Sequence, residues 1–357
     1  MEAWTRRTFL CLPAILKAGE LQQAEFRKFR DPATEFELTR VTDPSYASYL
    51  SPAYLHPISK RNTVVLVSSD RSGSMQVWRM DLRSQESHQV GNSKELDHST
   101  VTFLPDERYA AYFDGGTLMQ TNISTGKARE IYSVPEGAKR MPGMSVSDDG
   151  IHALVVEQSE GKSKLKLIAM GRGTPTDVLT DAEEIRDPMP RPKRAGILYR
   201  KQNGLWLVNY DGEQNRRLKT AAAGTMGPAL WSADGRTVLY LLFPDDTTKL
   251  NQLREHTPDT NEDKLIGNTS QFVNFARNAD SSVFMGVSRS KASPFILLLL
   301  RVAHRELTLC EHKASNPADV IVHFSPNSQR LYYHSDRNGK SVVYSMQVEK
   351  FVEKTDS

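Results

Sequence analysis

Short apolar stretches alternate with polar turns along the chain, and the same order of elements returns at regular intervals. An apolar strand such as Thr63–Val67 is followed by a polar turn, Ser69–Gly73, and then by a further strand, Val77–Leu82. The turns are rich in Asp, Asn, Ser and Gly because these residues tolerate tight-turn geometry and cap the backbone locally. The pattern therefore predicts an all-β chain built from strands and short turns.

Each unit contains a turn that matches the motif Ser-Pro-Asp-Gly, in most cases imperfectly. If its second residue is taken as an anchor, the copies fall at Pro57, Pro105, Asp148, Pro192, Ala233, Ala279 and Pro326. Successive anchors are 48, 43, 44, 41, 46 and 47 residues apart. A period in the forties with several short strands per unit is typical of a β-propeller blade, and blades close into a ring because none buries its faces alone. We therefore predict one seven-bladed β-propeller with four-stranded antiparallel blades.

The ring is predicted to close through its N-terminal strand. The strand-like segment Phe36–Thr42 precedes the first anchor, and we expect it to complete the last blade by pairing with Val342–Val348, because closure removes unpaired strand edges. We place the propeller at residues 25–350, with an export signal at 1–24 and a tail at 351–357. In the fifth blade, the polar segment Asp245–Asp263 is predicted to be a long exposed loop.

The first residues look like a twin-arginine export signal. Thr5–Leu10 contains an Arg-Arg pair and is followed by the short apolar stretch Cys11–Leu16. This favours a periplasmic or extracellular protein; the alternative is an accidental arginine pair on a cytoplasmic chain. Without the leader, Cys310 is the remaining cysteine, which leaves no intramolecular disulfide, and we expect it to be buried beside Leu307 and Leu309.

Composition narrows the classes of partner. Apolar runs such as Phe295–Leu300 reach six residues, whereas a membrane-spanning helix needs roughly 18. The formal net charge of +3 is small, and Lys and Arg are interspersed with carboxylates, so no phosphate-binding stripe is present. We therefore expect a monomer with no transmembrane segment and no nucleic-acid partner.

Three stretches resemble the oligogalacturonate lyases, seven-bladed propellers that cleave pectin fragments. They are Phe29–Thr34 together with Leu38–Asp43, then Glu130–Gly137, and Leu205–Gly212. The likeness spans roughly residues 26 to 350. The Pro-Asp-Gly turn is shared with many other propellers, including WD40-like repeats, so the second and third stretches are the more specific ones.

The resemblance implies a β-elimination reaction. A histidine base removes the proton alpha to a uronate carboxylate, while an arginine and a divalent cation, manganese in the family, offset the developing negative charge. In this sequence the base position holds Pro228, the arginine position holds Gly204, and the isolated metal-histidine position holds Asn274. The family's Gln-x-x-His-x-His run falls on Asn316–Ile321, which contains no histidine. We therefore predict that the family's mechanism is lost and that no cofactor ligands are retained.

The start of each innermost strand indicates which residues reach the mouth of the central channel. Five residues before the anchors stand Pro52, Thr100, Gly143, Asp187, Pro228, Asn274 and Ile321. Two residues earlier the ring contains one histidine, His98, next to Asp97. We regard His98, and His323 on the last innermost strand, as weak candidates for a catalytic base; the alternative is that both are packed structural histidines.

Two further sets of residues are candidates for ligand binding. Asn274, Asn316 and Asp319 supply oxygen atoms that suit a hard cation such as calcium; alternatively they hydrogen-bond the backbone. Basic residues cluster between Arg186 and Lys201 and form either a solvated face or a site for an oligogalacturonide or another anionic saccharide. The candidates in this stretch are Arg186, Arg191, Lys193 and Arg194.

Three functions remain open on the sequence alone. The first is a lyase with replaced active-site groups, and the second is a non-catalytic propeller that binds an anionic saccharide. The third is a protein-interaction propeller of the bacterial envelope. Loss of the family's metal-and-histidine mechanism is the interpretation that the replaced residues favour.

Overall fold

The computed structural model describes residues 21–23, 26–221 and 223–351. Most of the predicted export signal, including Cys11, and tail residues 352–357 lie outside the described residues. The described chain forms seven antiparallel sheets, which confirms the seven-bladed propeller. It contains no helix long and apolar enough to cross a membrane.

The strands follow one another in chain order. They are β1 Leu21–Gln23, β2 Arg27–Arg30, β3 Glu37–Arg40, β4 Ser48–Tyr49, β5 Val64–Ser69, β6 Gln76–Asp81, β7 Glu86–Gln89, β8 Thr102–Phe103, β9 Tyr109–Asp114, β10 Thr117–Asn122, β11 Ala128–Ser133, β12 Lys139–Val146, β13 His152–Ser159, β14 Lys162–Ala169, β15 Pro175–Asp181, β16 Ile185–Pro190, β17 Gly196–Lys201, β18 Gly204–Asn209, β19 Arg216–Arg217, β20 Thr225–Trp231, β21 Val238–Phe243, β22 Gln252–Thr257, β23 Glu262–Asn268, β24 Phe272–Arg277, β25 Val283–Ser288, β26 Phe295–Leu300, β27 Arg305–Glu311, β28 Val322–Phe324, β29 Arg330–Ser335 and β30 Val342–Gln347. Short 3-10 helices occur at His98–Thr100, Pro317–Asp319 and Glu349–Phe351.

Blades 2 to 6 each contain four consecutive strands, from β8–β11 to β24–β27. Blade 1 contains β4–β7, and β1 adds a fifth strand at its outer edge. Blade 7 has the order β2-β3-β30-β29-β28, so the N-terminal part of the chain supplies its two outer strands. In every blade the anchor turn lies between the innermost strand and the next one.

Ring closure follows the predicted pairing. Thr39 lies opposite Ser345 and Arg40 opposite Tyr344, which joins β3 to β30. The backbone N–H of Val41 extends the ladder by donating to the carbonyl of Val343 at 2.8 Å. The prediction that Phe36–Thr42 completes the last blade is therefore confirmed.

Hydrophobic side chains are buried between neighbouring blades. Seven separate apolar clusters are present among the described residues, and each joins side chains from two adjacent blades. For example, Leu198 of blade 4 and Tyr240 of blade 5 belong to one cluster, and both are fully buried. Each blade thus depends on its neighbours for burial, as expected of stacked repeats.

One structural prediction is wrong. Asp245–Asp263 is not one long loop, because its second part contains the strand β22 and the start of β23, and only residues 245–251 before them are irregular. Leu253 and His256 point into the molecule, while Arg254 pairs with Asp263 on the neighbouring strand at 2.7 Å. Outer strands expose one face to water, so a polar composition is compatible with a strand there.

Cys310 is buried in β27, as the sequence predicts. Its thiol lies 3.6 Å from the Tyr333 hydroxyl, and burial raises the pKa of the Cys310 thiol to about 12. The thiol is therefore protonated and unreactive at neutral pH.

Candidate functional site

Two cavities adjoin at the end of the channel where the innermost strands begin. The smaller has a volume of about 190 Å³ and lies on the channel axis; it is lined by Tyr54, Asp187, Arg200, Pro228 and Asn274. The larger, about 590 Å³, lies between blades 1, 2 and 7 and is lined by Tyr49, His98, Asn316, Asp319, His334 and Lys340. Both are also lined by Pro52 and Ile321, and we call the two cavities together the mouth groove.

Tyr54 closes the inner end of the mouth groove. It follows the very short innermost strand β4, and its side chain crosses the channel to pack against the clusters of blades 4, 5 and 6. Tyr54 also lines a third cavity at the opposite end of the channel. Burial raises the pKa of the Tyr54 phenol, so the hydroxyl stays protonated and can donate a hydrogen bond.

Arg200 and Asp187 form the charged wall of the smaller cavity. Arg200 Nη2 donates to the carbonyl of Met226 at 2.7 Å, whereas Nη1 is 4.0 Å from Asp187 Oδ2. Burial lowers the pKa of Arg200 and raises that of Asp187. The interactions of each charged group with its neighbours therefore do not fully offset its loss of hydration. A guanidinium with one long ion pair, facing a cavity, is suited to accept a second anion.

His98 faces the larger cavity, but Asp97 does not orient its ring. The Asp97 carboxylate accepts hydrogen bonds from the Ser99 N–H and hydroxyl, and it also pairs with Arg140. The His98 ring packs against the Tyr49 ring with centroids 4.5 Å apart, and among the described residues no group hydrogen-bonds its nitrogens. Burial lowers the pKa of His98, although Asp97 acts in the opposite direction.

His323 lies on the other side of Tyr54. It lines the cavity at the far end of the channel, and its Nε2 is 2.7 Å from the Ser51 carbonyl oxygen. Burial lowers the pKa of His323 to about 4. The two histidine candidates therefore do not belong to one site.

His334 is a mouth residue that sequence reasoning passed over. Its Nδ1 accepts the Leu50 N–H at 3.0 Å and its Nε2 donates to the Asp319 carbonyl at 2.8 Å. Both nitrogens are satisfied in the neutral ring, and burial lowers the pKa of His334 to about 4. His334 thus fixes the walls of the larger cavity rather than offering a free base.

The three oxygen donors proposed for a cation do not converge on one point. Asn274 lines the smaller cavity, and its Oδ1 accepts the Phe275 N–H while its Nδ2 donates to the Val320 carbonyl. Asn316 and Asp319 line the larger cavity. The Asn316 side chain caps a 3-10 helix through the Ala318 N–H and donates to Asp319 Oδ2. Both amides are occupied by hydrogen bonds within the fold.

The basic stretch of blade 4 is divided between the two ends of the channel. Arg186 lies at the start of β16, near the mouth, and pairs with Glu184 at 3.5 Å. Arg191, Lys193 and Arg194 lie in the anchor turn at the other end of this strand. Arg191 is buried, and both Arg191 and Arg194 bind the carboxylate of Asp259.

Register identifies the arginine that belongs to the mouth. Arg200 lies directly opposite Arg186 in the hairpin of β16 and β17, so it reaches the same end of the channel. Because the hairpin reverses at the anchor turn, residues of the second strand could have been paired in the sequence with the mouth positions of the first strand. This pairing would have identified Arg200 as a mouth residue. The four basic candidates do not form one patch.

Comparison with known proteins gives a match in structure only. No family model matches the sequence, and no curated protein does. An oligogalacturonate lyase solved in complex with manganese superposes with a TM-score of 0.89 at 18% identity, covering 95% of this chain and 100% of that chain. The oligogalacturonate lyase of Vibrio parahaemolyticus gives 0.88 at 20% identity, covering 94% and 100%. A hydrazine synthase chain of Kuenenia stuttgartiensis gives 0.58 at 12% identity, covering 84% and 96%.

The protein thus has the fold of the oligogalacturonate lyases, which confirms the resemblance at the level of fold. The residues at the corresponding positions do not fit manganese. Among the described residues no three His, Cys, Asp or Glu side chains are grouped so as to hold a metal ion. The amide oxygens of Asn274 and Asn316 already accept backbone N–H groups of the fold, and neither position offers an imidazole.

Proposed function

We propose that this protein binds a short acidic saccharide of the oligogalacturonide type in the mouth groove and does not use the metal-and-histidine elimination of the lyases. The observation that carries this proposal is Arg200, a desolvated guanidinium that faces the smaller cavity and has one long ion pair among the described residues. A uronate carboxylate would complete its charge-assisted hydrogen bonds.

The shape and lining of the groove support an extended ligand. Its two cavities adjoin at Pro52 and Ile321, so a chain of sugars can run from Arg200 towards the rings of Tyr49 and His98. Protonated Tyr54 supplies a hydrogen-bond donor at the inner end. Aromatic and apolar walls with a few convergent polar groups are typical of small-ligand sites.

The residue at the base position argues against the lyase reaction by its usual route. Pro228 lines the smaller cavity beside Arg200, and proline has no group that can accept a proton from a sugar. Gly204, at the arginine position, is buried in β18. We therefore propose that the protein recognises a uronate but does not catalyse the β-elimination reaction.

Calorimetric titration with trigalacturonate tests this proposal. Arg200→Gln should weaken binding about tenfold, because it removes one charge-assisted hydrogen bond. Arg194→Gln is the matched control, since Arg194 lies at the other end of the channel on Asp259. Equal affinities for wild type and Arg200→Gln, or no heat of binding at all, would contradict the proposal.

A second function, elimination with His98 as the base, is favoured by one observation. The His98 ring lies in the larger cavity with no hydrogen-bonding partner among the described residues, and burial keeps it neutral near pH 7. In that reaction His98 takes the proton alpha to the carboxylate, the electron pair forms the ring double bond, and the glycosidic oxygen leaves and is protonated. A metal-independent rate that is lost in His98→Asn would establish this function.

We also propose that the binding takes place outside the cytoplasm, because the first residues resemble a twin-arginine export signal. Cell fractionation of the native chain and of an Arg6→Lys, Arg7→Lys variant tests this. The native chain should be recovered in the periplasm or medium, and the variant in the cytoplasm. A cytoplasmic native chain would contradict export but would leave saccharide binding untouched.

The third hypothesis, a protein-interaction surface, has less support. The large apolar side chains that are exposed among the described residues lie in blades 3, 5 and 6 and in the segment before blade 1. They are Tyr46, Ile151, Leu250, Leu265 and Val302. They are distributed around the ring, whereas interaction sites expose contiguous apolar patches.

A further inference from the structure

A separate cavity of about 360 Å³ occupies the opposite end of the channel, where the anchor turns converge. Six of the seven anchor residues line it, namely Pro57, Asp148, Pro192, Ala233, Ala279 and Pro326. Tyr54 lies between this cavity and the mouth groove. We call it the turn-side cavity; the proposed saccharide site does not include it.

Arg277 brings a positive charge to the wall of the turn-side cavity. It ends β24, and its Nε donates to the Trp231 carbonyl at 2.7 Å while its Nη1 donates to the Asn278 carbonyl at 3.1 Å. These bonds fix the plane of the guanidinium. Among the described residues no acceptor lies within hydrogen-bond distance of Nη2. The side chain therefore presents an oriented, unused donor to the cavity.

Two histidines from other blades line the same cavity. The His56 side chain is exposed to it and makes no hydrogen bond with the described residues. The Nε2 of His323 donates to the Ser51 carbonyl, so its Nδ1 is the nitrogen left to gain a proton. Blades 1, 6 and 7 thus contribute His56, Arg277 and His323 to one cavity.

The charged groups around this cluster balance while the two histidines are neutral and become short of negative charge once both are protonated. Asp148 is the one carboxylate that acts on His56, while Arg277 and Lys60 both oppose its protonation. Asp234 is a further carboxylate that acts on Arg277. Burial lowers the pKa values of His56 and His323; Asp148 opposes this shift at His56, while Arg277 adds to it there and the His56 ring adds to it at His323.

We propose that the turn-side cavity binds a small oxyanion, such as a sulfate, phosphate or simple carboxylate, on Arg277, His56 and His323. The anion accepts the unused Arg277 donor and supplies the counter-charge for the two histidines when they are protonated. Protonation of the two histidines adds donors, so binding is coupled to proton uptake and strengthens as the pH falls. The anion would tie together three blades on the axis of the ring.

Sulfate is the probe for this site, because its charge does not change between pH 5.5 and pH 7.5. We expect sulfate to shift the ring proton resonances of His56 and His323 in NMR spectra, with affinity at least about tenfold higher at pH 5.5. His56→Gln should weaken sulfate binding, and Asp148→Asn should strengthen it, because the substitution removes a nearby negative charge. A structural role for these residues would not produce the opposite signs.

Two further variants keep the test independent of folding and of the mouth groove. Arg277→Gln should abolish the sulfate-dependent shifts; if it does not fold, His56→Gln and Asp148→Asn decide the question. Arg200→Gln should leave the shifts unchanged, so a failure here is distinct from a failure of saccharide binding. Resonances of His56 and His323 that do not respond to sulfate at pH 5.5 would overturn the proposal.

Discussion

At the scale of single residues, burial determines what each histidine can do. His323 and His334 are enclosed and hydrogen-bonded to backbone groups, and their pKa values are lowered to about 4. His98 is of the same residue type but is exposed to a cavity, and its ring makes no hydrogen bond with the described residues. Sequence position alone did not distinguish a free imidazole from a satisfied one.

The buried histidines predict a loss of stability in acid. Their folded pKa values lie below the unfolded value of about 6.5, so the unfolded chain takes up protons first as the pH falls. The stability is fully present above about pH 6.5 and is lost as the pH falls towards 4, by on the order of 3 kcal/mol for each histidine. Urea denaturation at pH 7.5 and at pH 5 should show a lower free energy of unfolding at pH 5.

A matched pair of variants isolates this effect. In His334→Asn the pH dependence should become shallower, because one group that titrates differently in the two states is removed. Gln85→Asn, at an exposed position, removes no titratable group and should leave the pH dependence as it is in the wild type. Identical pH dependence in all three proteins would contradict the account of His334.

The mouth could be predicted from the sequence in part. Counting back five residues from the anchors found Pro52, Asp187, Pro228, Asn274 and Ile321, and all five line the smaller cavity. The method missed Arg200, which lies on the second strand of its blade, and Tyr54, which enters the channel from irregular backbone. Counting along the innermost strands cannot identify residues on a second strand or on irregular backbone.

At the scale of elements, the N-terminal strands hold the ring closed. β3 completes blade 7 by pairing with β30, and β1 pairs with β7 at the outer edge of blade 1. The same N-terminal segment therefore contacts both blades that flank the point of closure. This agrees with the expectation that a ring removes its free edges by sharing a blade between the two ends of the chain.

Leu38 in β3 should be one of the most sensitive positions for closure. It is fully buried in the cluster between blades 6 and 7. Leu38→Ala should lower the free energy of unfolding by about 2–5 kcal/mol, measured by urea denaturation, because it leaves a cavity in a packed core. Leu265→Ala, at an exposed position in β23, is the control and should have little effect. Equal stabilities for the two variants would show that packing of the Leu38 side chain does not contribute to closure.

The segment Asp245–Asp263, predicted as one loop but containing β22 and the start of β23, shows where prediction from the sequence pattern fails. Outer strands have one face in water, so Gln252–Thr257 carries only two buried side chains, Leu253 and His256. The inner strands are buried on both faces and have clear apolar runs. Secondary structure was therefore predictable near the channel and ambiguous at the rim.

At the scale of the whole molecule, the fold and the chemistry depend on different residues. The seven apolar clusters between blades require only that strands present hydrophobic side chains, so the ring survives at 18% identity to a lyase of the same fold. The chemistry of the mouth depends on a few side chains, so single substitutions there change it without changing the fold. The fold is therefore a better guide to where a ligand binds than to the reaction that the ligand undergoes.

The measurement that tests this account most directly is the ultraviolet absorbance of the unsaturated uronide product. The protein would be incubated with oligogalacturonate and manganese, and the manganese-bound lyase of the same fold would serve as the positive control. We predict a flat trace for this protein and a rising trace for the control. A rising trace that a chelator abolishes would contradict the central claim, because it would show that a metal-dependent elimination operates at a mouth that contains Pro228 and Asn274.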